Sequence, residues 1–204
     1  MTTPRDLMIT ALDVEPRRPL EQGELSLALA GAELIDLLAA REVGLDGDHV
    51  VRIVPDHRTT PADPLLNEAA AALVRREPYE SVEDWLWRRG RGLSAAYLTA
   101  LEAEGLVAAH RRGRTPFASG RLEPVDSPDR RRAADRRAAD EPVLTSLAAA
   151  VGLRDEATGD AAEVPDEATE TVLAAVRDAV VELAGVRQRR DIERAAFDNI
   201  WRAE

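Results

Sequence analysis

The chain has 204 residues, 38 acidic against 27 basic side chains for a net charge of −11, and no cysteine. One compact domain burying about 70% of its unfolded surface is expected. Disulfides, thiolate metal sites and cysteine nucleophiles are excluded, and the overall charge repels nucleic acid and anionic membranes, so any contact with a polyanion must be local. No run approaches the roughly 18 apolar residues of a membrane span, and residues 1–6 lack the charged and apolar regions of a signal peptide; a cytoplasmic protein is expected.

Every basic residue is arginine and alanine is abundant, the bias of GC-rich coding and a pointer to a bacterial source. Aromatics make up 3% and hydrophobics 45% of the chain, so the core must be built from Leu, Val and Ala, which favours helices.

Residues 24–42 place Leu25, Ala28, Leu29, Ala32, Ile35 and Leu38 at helical spacing, with Leu27, Leu34 and Leu37 on the neighbouring face. So wide an apolar arc predicts a central helix. Residues 43–45, the turn pair Asp46-Gly47 and residues 49–54 predict a short β-hairpin ended by Pro55. Asp63-Pro64 supplies an N-cap and a first-turn proline for a helix ending before Pro78. Ser81-Val82-Glu83-Asp84 resembles a capping box and opens a short helix with Trp85, Leu86 and Trp87. The two tryptophans lie two residues apart, so only one is expected to face the core.

Residues 93–104 form the next expected helix, closed by Gly105. Residues 106–112 and 121–125 flank a loop containing Gly113, Pro116 and Gly120, which predicts a longer, basic, projecting β-hairpin with Phe117 near its tip. A helix is expected to begin near Ser127-Pro128, followed by helices over 143–151, 166–184 and 191–201, the middle one closed by Gly185. The fold class is therefore mainly α, a single helical domain carrying one short and one longer hairpin.

The search for catalysis finds no signature. His49, His57 and His110 lack metal-ligand spacing, and Asp46-Gly47-Asp48 fails the calcium-loop pattern. Ser119 lacks a nucleophile elbow, and Gly90-Arg91-Gly92 matches neither phosphate-binding nor dinucleotide-binding glycine motifs. A non-catalytic protein with no cofactor and no metal is expected.

Charge is distributed unevenly. Residues 88–137 hold 12 arginines against 6 acids, a net of +6, leaving −17 for the remainder. A solvated face paired with acidic neighbours explains such a run without any partner. The sharper alternative is a phosphate site, with Arg88, Arg89 and Arg91 ahead of one helix and Arg111, Arg112 and Arg114 on the adjoining hairpin. If these converge, their guanidinium groups could hold a phosphate bidentately while Phe117 enters a headgroup layer. An anionic surface offers about 1 kcal/mol per arginine against the opposing charge of the body, so binding should be weak and reversible.

A helix followed by a basic hairpin also resembles a winged-helix DNA-binding domain. The proposed recognition helix, residues 93–104, presents no arginine and ends in acids, which argues against nucleic acid. A third reading is a protein-interaction module that forms a homo-oligomer through its hairpin.

Four motifs carry a wider resemblance: Leu29-Ala30-Gly31-Ala32-Glu33-Leu34-Ile35-Asp36-Leu37, Asp63-Pro64-Leu65-Leu66-Asn67-Glu68-Ala69, Ser81-Val82-Glu83-Asp84-Trp85-Leu86 and Leu101-Glu102-Ala103-Glu104-Gly105-Leu106-Val107. Together with the hairpin leading to Pro124, their order and spacing resemble the Golgi phosphoprotein 3 family of peripheral membrane proteins. The resemblance implies a mostly helical domain with a projecting hairpin, binding of phosphatidylinositol 4-phosphate in a basic pocket, and no catalysis. It implies a pocket formed by a tryptophan before the long helix, an arginine ahead of its glycine, and an Arg-x-x-Arg pair. Here those positions read Glu21 or a neighbour, Ala30, and Arg91 followed by Ser94, so Arg91 alone survives. The arginine-rich amino-terminal extension of eukaryotic members has no counterpart, so their adaptor role for Golgi enzymes is not expected.

Overall fold

The computed structural model describes residues 2–16, 18–53, 63–110, 121–154 and 166–201. Among them the chain forms helices α1 (Thr3–Asp13), α2 (Gln22–Ala39), α3 (Pro64–Ala72), α4 (Val82–Arg89), α5 (Leu93–Ala103), α6 (Pro128–Ala138), α7 (Pro142–Ala150) and α8 (Glu167–Trp201). Strands β1 (Val43–Asp46) and β2 (His49–Arg52) make one antiparallel hairpin, and β3 (Val107–His110) and β4 (Arg121–Pro124) make a second, separate one. The mainly α expectation with two hairpins holds.

Helix α2 is the axis of the molecule, with α1, α3, α4, α5 and α8 packed around it. The wide apolar arc is the cause: Ala28, Leu29, Ala30, Ala32, Leu34 and Leu37 are all fully buried. The closest approach is to α8, where a Cβ built on Gly31 would lie 2.3 Å from Val176 Cγ2. Only glycine lets the two helices meet at that distance, which gives the resemblance motif around Gly31 a packing reason. Trp85 is wholly buried and donates its indole N–H to Ala30 O at 3.1 Å, while Trp87 is half-buried, as the two-residue spacing requires.

Local signals set most boundaries. Asp63 accepts from Leu65 N at 3.0 Å, Ser81 from Asp84 N at 3.0 Å and Ser127 from Arg130 N at 3.2 Å, each satisfying an otherwise orphaned first-turn donor. Gly105, at φ +71°, closes α5 with a Schellman motif in which Leu106 N donates to Leu101 O. In the first hairpin Asp46 pairs with His49 across a turn whose Gly47 has φ +61°, and bonds from Val50 N to Glu80 O and Val82 N to Asp48 O stitch this hairpin to the start of α4.

Two expectations change. Residues 166–201 were expected as two helices separated at Gly185, but α8 runs continuously through it. Nothing lies within 4 Å of a Cβ built there, and the penalty of about 1 kcal/mol for an interior glycine is offset by uninterrupted turns on both sides. Helix α1 was not among the expected elements, although Thr2, Pro4 and Asp6 are helix-start residues, and it is buried from Thr3 to Ala11. Its start is capped from another helix, Thr3 N donating to Asp36 at 2.8 Å. Its polar residues are matched by distant partners: Arg5 with Glu104, and Asp6 with Arg136.

Candidate functional site

Of the arginines expected to converge, Arg88 and Arg89 turn to partners within the fold. Arg88 donates twice to Glu80, at 3.0 and 2.7 Å, and to Ala72 O at 3.2 Å, and its guanidinium lies 5.2 Å from the Trp85 ring centre. It clamps the segment between α3 and α4. Arg89 turns inward and forms a two-pronged ion pair with Glu33, at 2.7 and 2.9 Å, and donates to Leu65 O at 3.0 Å; the Tyr97 hydroxyl donates to the same carboxylate at 3.0 Å. Burial pushes the Glu33 carboxyl up, against the pull of Arg89 and Tyr97, and burial beside this carboxylate pushes the Tyr97 phenol up as well. The donors of Arg88 and Arg89 that were expected at a phosphate are thus engaged within the fold.

Much of the basic segment is paired in the same way. On α6, Arg130 meets Asp13, Arg131 meets Asp126, Arg132 meets Asp129, and Arg136 bridges Asp6 and Glu141. For these side chains the solvated, internally neutralised face is the correct reading. Arg111, Arg112, Arg114 and Phe117, like His57 and Ser119, lie outside the described residues.

Arg91 differs. It is exposed, has no hydrogen bond or ion pair among the described residues, and stands at a groove of about 320 Å³. Its position is fixed by its neighbours. A Cβ on Gly90 would lie 2.6 Å from Leu86 O and 3.3 Å from Ser26 O, and Gly92 has φ +71°. Both glycines are therefore demanded by the tight passage from α4 into α5, which leaves Arg91 outermost.

The groove lies between the N-terminal turns of α2 and α5, with Gln22, Gly23 and Ser26 on one side, Ser94 and Ala95 on the other, Trp87 along one wall and Leu183 of α8 closing the end. Ser26 and Ser94 hold the two helices together: the hydroxyls bond at 2.9 Å, Ser94 N donates to Ser26 Oγ at 3.0 Å, and Ser94 Oγ donates to Gln22 O at 3.2 Å. The N-terminal turns of α2 and α5 bring the positive ends of two helices to the groove that Arg91 flanks, although Ser94 N at the start of α5 is already taken by Ser26 Oγ.

A second cation sits at the edge. A Cβ on Gly23 would lie 3.0 Å from Arg187 Nη2, and Arg187 Nη1 is 3.1 Å from Glu24 and 3.5 Å from Glu21. Glu24 is buried and also ion-paired with Arg18 at 2.6 Å. Arg187 and Glu24 are 163 residues apart in sequence, so periodicity and local motifs hold no sign of this cluster. Ala30 is fully buried in the α2 core, and Glu21 is the N-cap of α2 beside the groove.

No helix among the described residues is long and apolar enough to cross a membrane. The exposed residues of α5, among them Ala95, Thr99 and Glu102, include no cation. A comparison with curated proteins finds no match. The family model for Golgi phosphoprotein 3 matches residues 4–183, nearly the whole chain: the chain belongs to the Golgi phosphoprotein 3 family.

Proposed function

We propose that this protein is a non-catalytic, peripheral binder of anionic lipid headgroups of the phosphoinositide type, acting at a cytoplasmic membrane face, and that the Arg91 groove receives the phosphate. Membership of a phosphoinositide-binding family supports the ligand class. The observation that carries the site is the unpaired Arg91 beside the N-termini of α2 and α5. Arg91 supplies a planar pair of donors, the positive ends of α2 and α5 add to the field, and half-buried Trp87 gives the inositol ring an apolar wall. With Glu21, Ala30 and Ser94 at the other pocket positions, affinity is modest and tuned by salt.

The test is flotation of the purified protein with neutral liposomes and with liposomes containing phosphatidylinositol, its 4-phosphate or phosphatidylglycerol, at low and physiological salt. Binding that rises with headgroup charge and is selective for the 4-phosphate supports the proposal. Equal recovery with every anionic lipid reduces the site to a general electrostatic contact, and no binding at either salt refutes it. A charge reversal at Arg111 and Arg112 tests whether the second hairpin adds to membrane contact, and light scattering across ionic strength tests whether it joins copies of the chain.

A further inference from the structure

Helix α8 has two faces, and the fold uses one of them. Thr169, Val172, Leu173, Val176, Ala179 and Val180 are buried, and the helix packs against α2, α4 and α7. At helical periodicity these residues share one side, and the opposite side carries Asp178, Val181, Gly185, Gln188 and Ile192 at alternating spacings of three and four. Val181 is 71% and Ile192 61% exposed, the most exposed large hydrophobic side chains among the described residues, and nothing lies within 4 Å of a Cβ built on Gly185 between them. The family match ends at residue 183, so much of this stripe lies beyond the matched region.

Such spacing is the seam pattern of a two-stranded coiled coil, with Asp178, Gly185 and Ile192 at a positions and Val181 and Gln188 at d positions. An antiparallel two-fold pairing centred between residues 186 and 187 sets each a position opposite a d position of a second copy. Val181 then meets the partner's Ile192, and the partner's Gln188 spans the gap that Gly185 leaves. A parallel pairing would set glycine against glycine and leave that gap open.

The flanking charges fit the same register. Glu182 and Arg189 occupy e positions, which face each other in an antiparallel pair, so the two-fold axis makes two Glu182–Arg189 contacts. Both side chains are exposed. Among the described residues Glu182 has no partner, and Arg189 bonds only to the Gly185 carbonyl of its own helix, at 3.4 Å. Each globular body stands on the side of its α8 away from the stripe, and the antiparallel arrangement sends the two bodies to opposite ends. Asp178 and Gln188 interrupt the apolar seam and exposed ion pairs contribute little each, so association is reversible and weakens with salt.

From the exposed Val181–Ile192 stripe and the self-complementary charges beside it, we infer that the outer face of α8 docks a second copy of this chain as an antiparallel two-fold dimer, with Val181 against the partner's Ile192 and Glu182 against the partner's Arg189.

The test is sedimentation velocity of the full chain at low and physiological salt, from micromolar concentrations to about 0.5 mM. A concentration-dependent rise from 22.2 kDa to twice that mass is expected, larger at low salt. Val181→Glu, at a position the body does not cover, should weaken the dimer at least 10-fold with circular dichroism unchanged. Glu182→Arg and Arg189→Glu should each weaken it, and Glu182→Arg/Arg189→Glu should restore it. The chain has no cysteine, so introduced thiols report the register. Val181→Cys/Ile192→Cys should give covalent dimers on mild oxidation and neither single variant should, because the two positions are about 16 Å apart along the helix. A monomer at every concentration overturns the proposal, as does a dimer that survives Val181→Glu or one lost only on charge reversal at Arg111 and Arg112. Cross-linking of Val181→Cys to itself would make the pairing parallel and overturn the assignment as well.

Discussion

Replacing Arg89 by alanine tests whether this arginine serves the core. The substitution removes both guanidinium bonds to Glu33 and the bond to Leu65 O, leaving a carboxylate of 0% exposure with the Tyr97 hydroxyl as its remaining donor. Removing one partner of a buried pair costs about 3–5 kcal/mol, or roughly 6–20 °C in melting temperature at this chain length. The pH dependence follows from the same geometry. Burial already raises the Glu33 carboxyl above its ordinary value of 4.5, and loss of Arg89 raises it further. A carboxyl raised in the folded state binds its proton more tightly than in the unfolded chain. Stability therefore falls as pH climbs from the unfolded value towards the folded one. The deficit of Arg89→Ala should be smaller near about pH 5 than near about pH 8 in urea unfolding followed by circular dichroism. Glu33→Leu/Arg89→Met, which removes both charges, should recover part of the loss. A deficit below ~1 kcal/mol, or one identical at both pH values, would refute the reasoning.

Three further outcomes are expected. Gly31→Ala should destabilise by about 1–3 kcal/mol because its Cβ meets Val176 at 2.3 Å, and Val176→Ala should relieve part of that cost; the check is the urea midpoint of both variants. Asp63→Ala removes the α3 cap and the acceptor of the Thr2 hydroxyl, a loss of about 0.5–2 kcal/mol in the same measurement. Hydrogen bonding to Arg5 holds the Glu104 carboxyl below its ordinary value of 4.5, so its contribution is present above that pH and is lost as pH falls through the lowered value. Arg5→Ala should accordingly flatten the acid limb of the stability profile, and an unchanged acid limb would contradict the pairing.

Elements with local signals were legible in sequence. Asp63-Pro64, Ser81 and Ser127-Pro128 announce helix starts through their own side chains, and Asp46-Gly47 and Gly105 announce turns through their backbone freedom. Helix α1 was missed although Pro4 and Asp6 mark its first turn; what the sequence does not show is its burial, which rests on Asp36 of α2 capping its start and on partners 99 and 130 positions away for Arg5 and Asp6. Helix ends at Arg41 and Asp140, with φ of 55° and 51°, close without the glycine that would mark them. The site divides in the same way. Arg91, framed in the sequence by two glycines, stands at the candidate groove, whereas Arg88 and Arg89 were assigned to a phosphate although Glu80 and Glu33 hold them. An arginine's charge is readable in one dimension; the carboxylate that claims it belongs to the packing. Arg187 and Arg18 are placed by packing in the same way.

The central claim is that Arg91 carries the headgroup interaction, and flotation of wild type and Arg91→Ala side by side on liposomes containing phosphatidylinositol 4-phosphate tests it most directly. Arg91 has no protein partner among the described residues, so its loss should leave the unfolding midpoint unchanged. Loss of charge-assisted hydrogen bonds worth about 1.5–3 kcal/mol should weaken binding roughly 10- to 150-fold. Recovery of the variant with liposomes at the wild-type level would contradict the account.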